Sequence, residues 1–102
     1  MATLAQKSGA DRFSFADTVG CLTPSKSKRI ISKIVREIDI PVHVHFHNDF
    51  GMGTANSLSA LEGGAQCVDL TINGLGERCG LAPLAEVITA LVSIYSRRKD
   101  CW

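Results

Sequence analysis

Two periodicities alternate along this chain three times. From Arg12 to Thr18, Phe13 and Phe15 fall on one side and Ser14, Ala16 and Thr18 on the other, the mark of a strand with unlike faces. A turn at Gly20 leads to Thr23, a helix N-cap type, with Pro24 at the first helical position. Ile30, Ile31, Ile34, Val35 and Ile38 then recur at helical spacing, and Pro41 limits that helix. Val42 to His47 alternates again, with Val42, Val44 and Phe46 opposite His43, His45 and His47. A second helix is predicted over roughly Thr54 to Glu62, closed by the left-handed cap that Gly63 and Gly64 permit. Cys67 to Asn73 reads as a third strand, Val68, Leu70 and Ile72 against Asp69, Thr71 and Asn73. After a glycine-rich loop, Pro83 opens a last helix carrying Leu84, Val87, Ile88, Leu91, Val92 and Tyr95.

Strand and helix repeating at about 30 residues predict an α/β fold of three consecutive parallel βα units. Strands of an open doubly wound sheet are buried on both faces, whereas each strand here has one face that turns polar toward its C-terminal end. That pattern suits the interior of a TIM (β/α)8 barrel, whose chemistry sits where strands end and loops begin. Thr18, His45, His47 and the Gly74–Gly80 loop all fall at such ends. A ring of eight needs about 250 residues, so 102 residues read as a fragment of one, a single partial barrel domain over 1–102. Residues 1–9 read as the tail of a preceding helix.

Composition narrows the partners. An apolar content of 45% and a formal net charge of +1 describe an ordinary globular chain. Charges of both signs are mixed along the chain, no aromatic residues interleave with basic ones, and no run of about 18 apolar residues occurs, so neither nucleic acid nor membrane is expected as a partner. The N-terminus lacks the basic start and long apolar run of a secretory signal. Cys21, Cys67, Cys79 and Cys101 are widely spaced with no C-x-x-C pair, which favours free thiols in a reducing compartment over a disulfide framework or zinc ribbon. The expected location is the cytoplasm, or the mitochondrion in a eukaryote.

The chemistry concentrates in His45-Phe46-His47-Asn48-Asp49. Two imidazoles two residues apart on a strand share a face, with α-carbons about 7 Å apart, close enough to grip one cation at about 2.1 Å. His43 lies about 13 Å from His47, too far for a common ion, and is expected to fill a lower layer of the interior. His45 and His47 are therefore the candidate metal ligands, suited by ligand type to zinc, manganese or iron. Asn48 and Asp49 are candidates either to orient the histidines or to shape the turn that follows. Asp17, on the opposite face of its strand from Thr18, is expected to anchor the loop. Cys79 has no histidine near it in sequence and is expected to serve packing.

Three motifs in order, Ala16-Asp17-Thr18-Val19-Gly20-Cys21, His45-Phe46-His47-Asn48-Asp49 and Gly74-Leu75-Gly76-Glu77-Arg78, resemble one family. It is the metal-dependent condensing acyltransferases that include homocitrate, isopropylmalate and citramalate synthases. The resemblance covers about Gly9 to Ile94 and implies that the chain supplies the last three βα units, 6 to 8, of the family's catalytic barrel. Many isopropylmalate and citramalate synthases carry Asn where this chain has Leu81, which cannot ligate a metal. Leu81 with the Pro83-Leu84 pair, Phe46 between the histidines and Cys21 after the Asp-Thr-Val-Gly run look more like homocitrate synthases of lysine biosynthesis. Ala85-Glu86 looks more like the isopropylmalate pattern.

The resemblance implies a Claisen-type condensation of acetyl-CoA with a 2-oxo acid chelated by a divalent cation, with 2-oxoglutarate favoured and zinc, manganese or magnesium as the metal. His45 and His47 would supply two ligands and an earlier barrel strand a carboxylate. The catalytic base would also lie outside this chain. Thr18 would bind a carboxylate of the oxo acid, and Gly74 and Gly76, lacking β-carbons, would let backbone amides approach substrate or cofactor. Glu77 and Arg78 would form an ion pair holding that loop. The remaining barrel and, at full length, a second copy of the protein are the other implied partners. On this reading the fragment alone has no turnover. Isopropylmalate, citramalate or Re-type citrate synthase, a related metal-dependent lyase, and a non-catalytic docking fragment are the alternatives.

Overall fold

The computed structural model describes residues 1–95. A short helix α1 (Ala2–Lys7) precedes three strands and three further helices, β1 (Phe13–Asp17), α2 (Pro24–Glu37), β2 (Val42–Phe46), α3 (Gly53–Glu62), β3 (Cys67–Val68) and α4 (Leu84–Ala90), the last continuing into a π-turn over Leu91–Tyr95. The strands form one parallel sheet in the order β1-β2-β3. Phe13 pairs with Val42 and Asp17 with Phe46, so the C-terminal ends of β1 and β2 are level. His43 pairs with Cys67 and Val44 with Val68. Three parallel strands linked by helices are what the periodicities predict.

The core lies between one face of the sheet and the helices. Val42, Val44 and Phe46 are fully buried in a cluster with Ile31 and Ile38 of the α2 segment and Ala60 of α3. The β2 alternation thus sends its apolar side chains to the helices and its histidines to the other face. Asp17 closes the first βα turn, its carboxylate accepting from the backbone N–H groups of Cys21 (3.1 Å) and Leu22 (2.9 Å), as expected of an anchor. Asn56 of α3 donates to the Leu22 carbonyl at 2.9 Å, and Ser27 of α2 donates to the Asn56 carbonyl at 3.1 Å. These bonds tie the two helices to the same turn.

Several expectations need correction or refinement. The third strand is two residues long rather than seven. Beyond Asp69 the neighbour of this segment is the returning chain: the Thr71 N–H donates to the Ala82 carbonyl at 3.2 Å, and the Leu84 N–H donates to the Thr71 carbonyl at 2.9 Å. Ile72–Gly74 then coils into a 3-10 turn with Asn73 at φ +56°, leaving Ile72 71% exposed instead of facing the core. Of the apolar residues expected along the last helix only Val87 is buried, while Leu84, Ile88 and Val92 are exposed. Pro83 is the N-cap of α4, not its first helical residue. Thr23 does occupy the N-cap of α2, but its hydroxyl makes no capping bond. At the end of α3 it is Gly64, at φ +103°, that adopts the left-handed conformation, one residue beyond the C-cap Gly63.

Cys21, Cys67 and Cys79 are free thiols, and Cys101 lies outside the described residues. No helix among the described residues is long and apolar enough to cross a membrane.

Candidate functional site

The strand ends converge on the imidazoles of β2. His45 Nε2 and His47 Nε2 face each other at 3.2 Å, with ring centroids 5.0 Å apart. Two ligands about 2.1 Å from one cation and about 90–110° apart are separated by roughly 3.0–3.4 Å, so the spacing fits a shared ion. The sequence placed these rings on one face, and the structure brings them to a common point. His47 is 6% exposed, and its Nδ1 is buried with no hydrogen-bond partner among the described residues. Such an orphaned polar atom at the rim of a polar face marks an environment that these residues do not complete.

Asp69, one residue past the pairing of β3 with β2, organises the cluster. One of its oxygens meets His45 Nδ1 at 2.8 Å and the other meets His43 Nε2 at 2.8 Å. Burial pushes the Asp69 carboxyl up, but the hydrogen bonds from His45 and His43 outweigh it and hold the pKa below its ordinary 3.8. A carboxylate only accepts, so His45 donates through Nδ1 and turns the lone pair of Nε2 toward His47. That is the donor chemistry a cation requires of an imidazole. Among the described residues no group of three or more His, Cys, Asp or Glu side chains is arranged to hold a metal, so His45 and His47 fit as two ligands of an incomplete set.

The other candidates are placed as follows. Thr18 lies one residue beyond β1 and is exposed, and its carbonyl accepts from the Arg78 guanidinium. Among the described residues, neither Asn48 nor Asp49 hydrogen-bonds to either imidazole of the pair. The Asn48 side chain accepts from the Gly53 N–H at the start of α3 (2.9 Å), and its own N–H donates to the Gly80 carbonyl (2.8 Å). Asp49 receives a two-pronged bond from Arg78, at 2.7 Å to Nε and 3.1 Å to a terminal nitrogen. Arg78 holds the Asp49 carboxyl below its ordinary 3.8 and is itself held more firmly protonated. Glu77 reaches Arg78 only at 3.4 Å and is largely exposed. The pair that fastens the loop is therefore Arg78 with Asp49, and it joins the segments after all three strands.

Gly74 and Gly76 serve the interior of their own loop. The Gly74 N–H donates to the Thr71 carbonyl at 3.3 Å, its carbonyl accepts from the Leu81 N–H at 3.2 Å, and a β-carbon on Gly76 would lie 2.3 Å from the Leu81 side chain. Leu81, 7% exposed, forms an antiparallel bridge with His47. Asp69 is the residue that reading for ligands and turns missed. Its signal was available, because the alternation of the third strand sets it on the polar face beside a strand rich in histidine.

Parallel βα units with polar groups gathered at the C-terminal ends of the strands define a barrel-type enzyme rim. A family model described as HMGL-like matches residues 1–98, and the chain belongs to that family. Its relatives include a probable 2-isopropylmalate synthase of Methanopyrus kandleri, 49% identical over 92% of this chain. They also include the (R)-citramalate synthase of Methanocaldococcus jannaschii, 53% identical over 88% of the chain, and a homocitrate synthase of Methanopyrus kandleri, 50% identical over 89%. The chain spans 19%, 18% and 23% of the length of these three relatives. Among solved structures, the carboxyl transferase domain of Rhizobium etli pyruvate carboxylase matches with a TM-score of 0.83 and 27% identity, over 90% of this chain and 16% of that one. The N-terminal domain of a putative aldolase from Bacteroides vulgatus matches with a TM-score of 0.79 and 29% identity, over 85% and 29%.

Proposed function

We propose that this chain is the part of a condensing acyltransferase barrel that chelates the cation and frames the rim of the site, in an enzyme that joins acetyl-CoA to a 2-oxo acid. The observation that carries the reading is the 3.2 Å approach of two imidazole nitrogens at a parallel strand end, one of them with its tautomer set by a carboxylate. Identity of 49–53% to synthases, against 27% to the carboxyl transferase domain, favours condensation over the related reactions. Leu81, Pro83-Leu84, Phe46 and Cys21 favour 2-oxoglutarate among the oxo acids.

In that reaction a base outside this chain takes a proton from the acetyl methyl group, and the resulting carbon nucleophile attacks the ketone carbon. The ketone oxygen becomes a hydroxyl, and water later cleaves the thioester to release CoA. A bound divalent cation supplies Lewis acidity toward the ketone. The work of this chain is positional: His45 and His47 offer two nitrogen donors, while Arg78 fastens the loops around them.

A chimera tests the reading. The corresponding segment of the Methanopyrus kandleri homocitrate synthase is replaced by this chain, and CoA release is assayed with 2-oxoglutarate, 3-methyl-2-oxobutanoate, pyruvate and oxaloacetate. Turnover that is greatest with 2-oxoglutarate and abolished by His45→Ala or His47→Ala is expected, and the isolated chain should show none. A folded chimera inert toward all four acids would refute the proposal.

A further inference from the structure

Four polar side chains from three neighbouring strand segments form a continuous line that ends on the paired imidazoles. Ser14 Oγ of β1 lies 3.2 Å from His43 Nδ1 of β2, His43 Nε2 lies 2.8 Å from one oxygen of Asp69, and the other oxygen lies 2.8 Å from His45 Nδ1. From these contacts we infer that Asp69 is the positioning residue for the cation pair, and that Ser14 and His43 act through it. The inference rests on the paired-imidazole reading above.

The direction of each bond follows from what each atom can do. The Asp69 carboxylate offers only lone pairs, so both imidazoles donate to it. His45 is thereby the Nδ1–H tautomer, and its Nε2 lone pair is directed at His47 Nε2, 3.2 Å away. His43 is the Nε2–H tautomer, so its Nδ1 is an acceptor and the Ser14 hydroxyl donates to it. Asp69 holds both imidazoles at once, one on each oxygen, which fixes the plane of its carboxylate. Both ring nitrogens of His43 are engaged by Ser14 and Asp69, so it is no ligand itself, yet it sets the orientation of the group that orients one. A lone aspartate with a 45% exposed side chain would be free to turn; the second histidine removes that freedom.

The contacts on both oxygens also predict what a substitution does. Asparagine keeps the shape of Asp69 but offers one acceptor and one donor. Whichever way the amide sits, one of the two histidines must present a lone pair to it and move its proton to its other nitrogen. For His45 that nitrogen is the one that faces His47.

The test uses the full chain, wild type and the variants Asp69→Asn, Asp69→Glu, His43→Gln and His47→Ala. Co2+ affinity is measured by calorimetric titration, and the tautomers of His43 and His45 by 15N chemical shifts in metal-free protein. The wild type should show His45 protonated at Nδ1 and His43 at Nε2. Asp69→Asn should move at least one of those protons and weaken Co2+ binding about 10–100-fold. Asp69→Glu, which keeps two acceptor oxygens, should bind better than Asp69→Asn, and His43→Gln should lose less affinity than Asp69→Asn. The exposure of the Asp69 side chain makes these changes compatible with folding. If Asp69→Asn retains both tautomers and full affinity while His47→Ala abolishes binding, the inference fails and the imidazole pair stands. If the wild type binds Co2+ no better than His47→Ala, the cation reading fails, and the tautomer shifts alone decide the role of Asp69.

Discussion

Arg78 sits at φ +57°, a backbone region that side chains disfavour, yet its guanidinium reaches both oxygens of Asp49 and the carbonyl of Thr18. One flat, multiply donating group can span the three loops in this way, whereas an ammonium presents a single point charge. Arg78→Lys should therefore raise hydrogen–deuterium exchange in the segments around residues 18–21, 48–51 and 74–80 while leaving β2 protected. The pH dependence has a definite sign. Because the Asp49 pKa is lowered on folding, its contribution to stability is present above the ordinary 3.8 and disappears as pH falls through its lower folded value. Acid titration of the wild type should lose that contribution, and the same titration of Asp49→Asn should lack it. In the same loop, a β-carbon on Gly80 would lie 1.9 Å from the Gly74 carbonyl oxygen, and Gly80 has φ +83°, whereas one on Gly76 meets the tip of the Leu81 side chain at 2.3 Å and the nearest backbone atom, the Gly80 α-carbon, only at 3.3 Å. Gly80→Ala should cost more than the roughly 1–2 kcal/mol of left-handed strain alone, and Gly76→Ala distinctly less, as read from denaturant midpoints.

At the scale of elements, β2 divides two functions between two faces. Its apolar face holds the sheet to α2 and α3, so Phe46→Ala should destabilise the chain by about 3–5 kcal/mol in denaturant unfolding. Its histidine face carries no apolar core, so His43→Gln should cost far less stability. The strands and helices on either side of β2 were legible because each has a clean period and punctuation: Pro24 opens α2, Pro41 ends its reach, and Gly64 turns the chain after α3. The third unit was not. Its alternation runs on through Asn73, but what decides a strand is a hydrogen-bonding neighbour. Past Asp69 that neighbour is the returning segment, whose Pro83 pairs with Thr71.

For the whole molecule, much of the apolar surface left outside the core sits at both ends of the sheet, besides Val19 and Phe50 in the loops after β1 and β2. Leu4 lies near β1, and Ile72, Leu75, Ile88, Val92 and Ile94 lie around α4, all largely exposed. The outer strands β1 and β3 each pair on one side only within this sheet. The isolated chain should therefore self-associate with rising concentration, and light scattering would detect it. A monodisperse monomer up to high concentration would contradict this. The sequence alone determined the βα order, the buried face of β2, the pairing of His45 with His47 on the other face, and the family, since these follow from periodicity, punctuation and contiguous motifs. Only the tertiary structure decided that β3 stops early, that Arg78 clasps Asp49 as well as Glu77, and that Asp69 holds His43 and His45. Each of those depends on which distant segments lie side by side, and a hydrogen bond between residues 24 or more positions apart leaves no period in the chain to read.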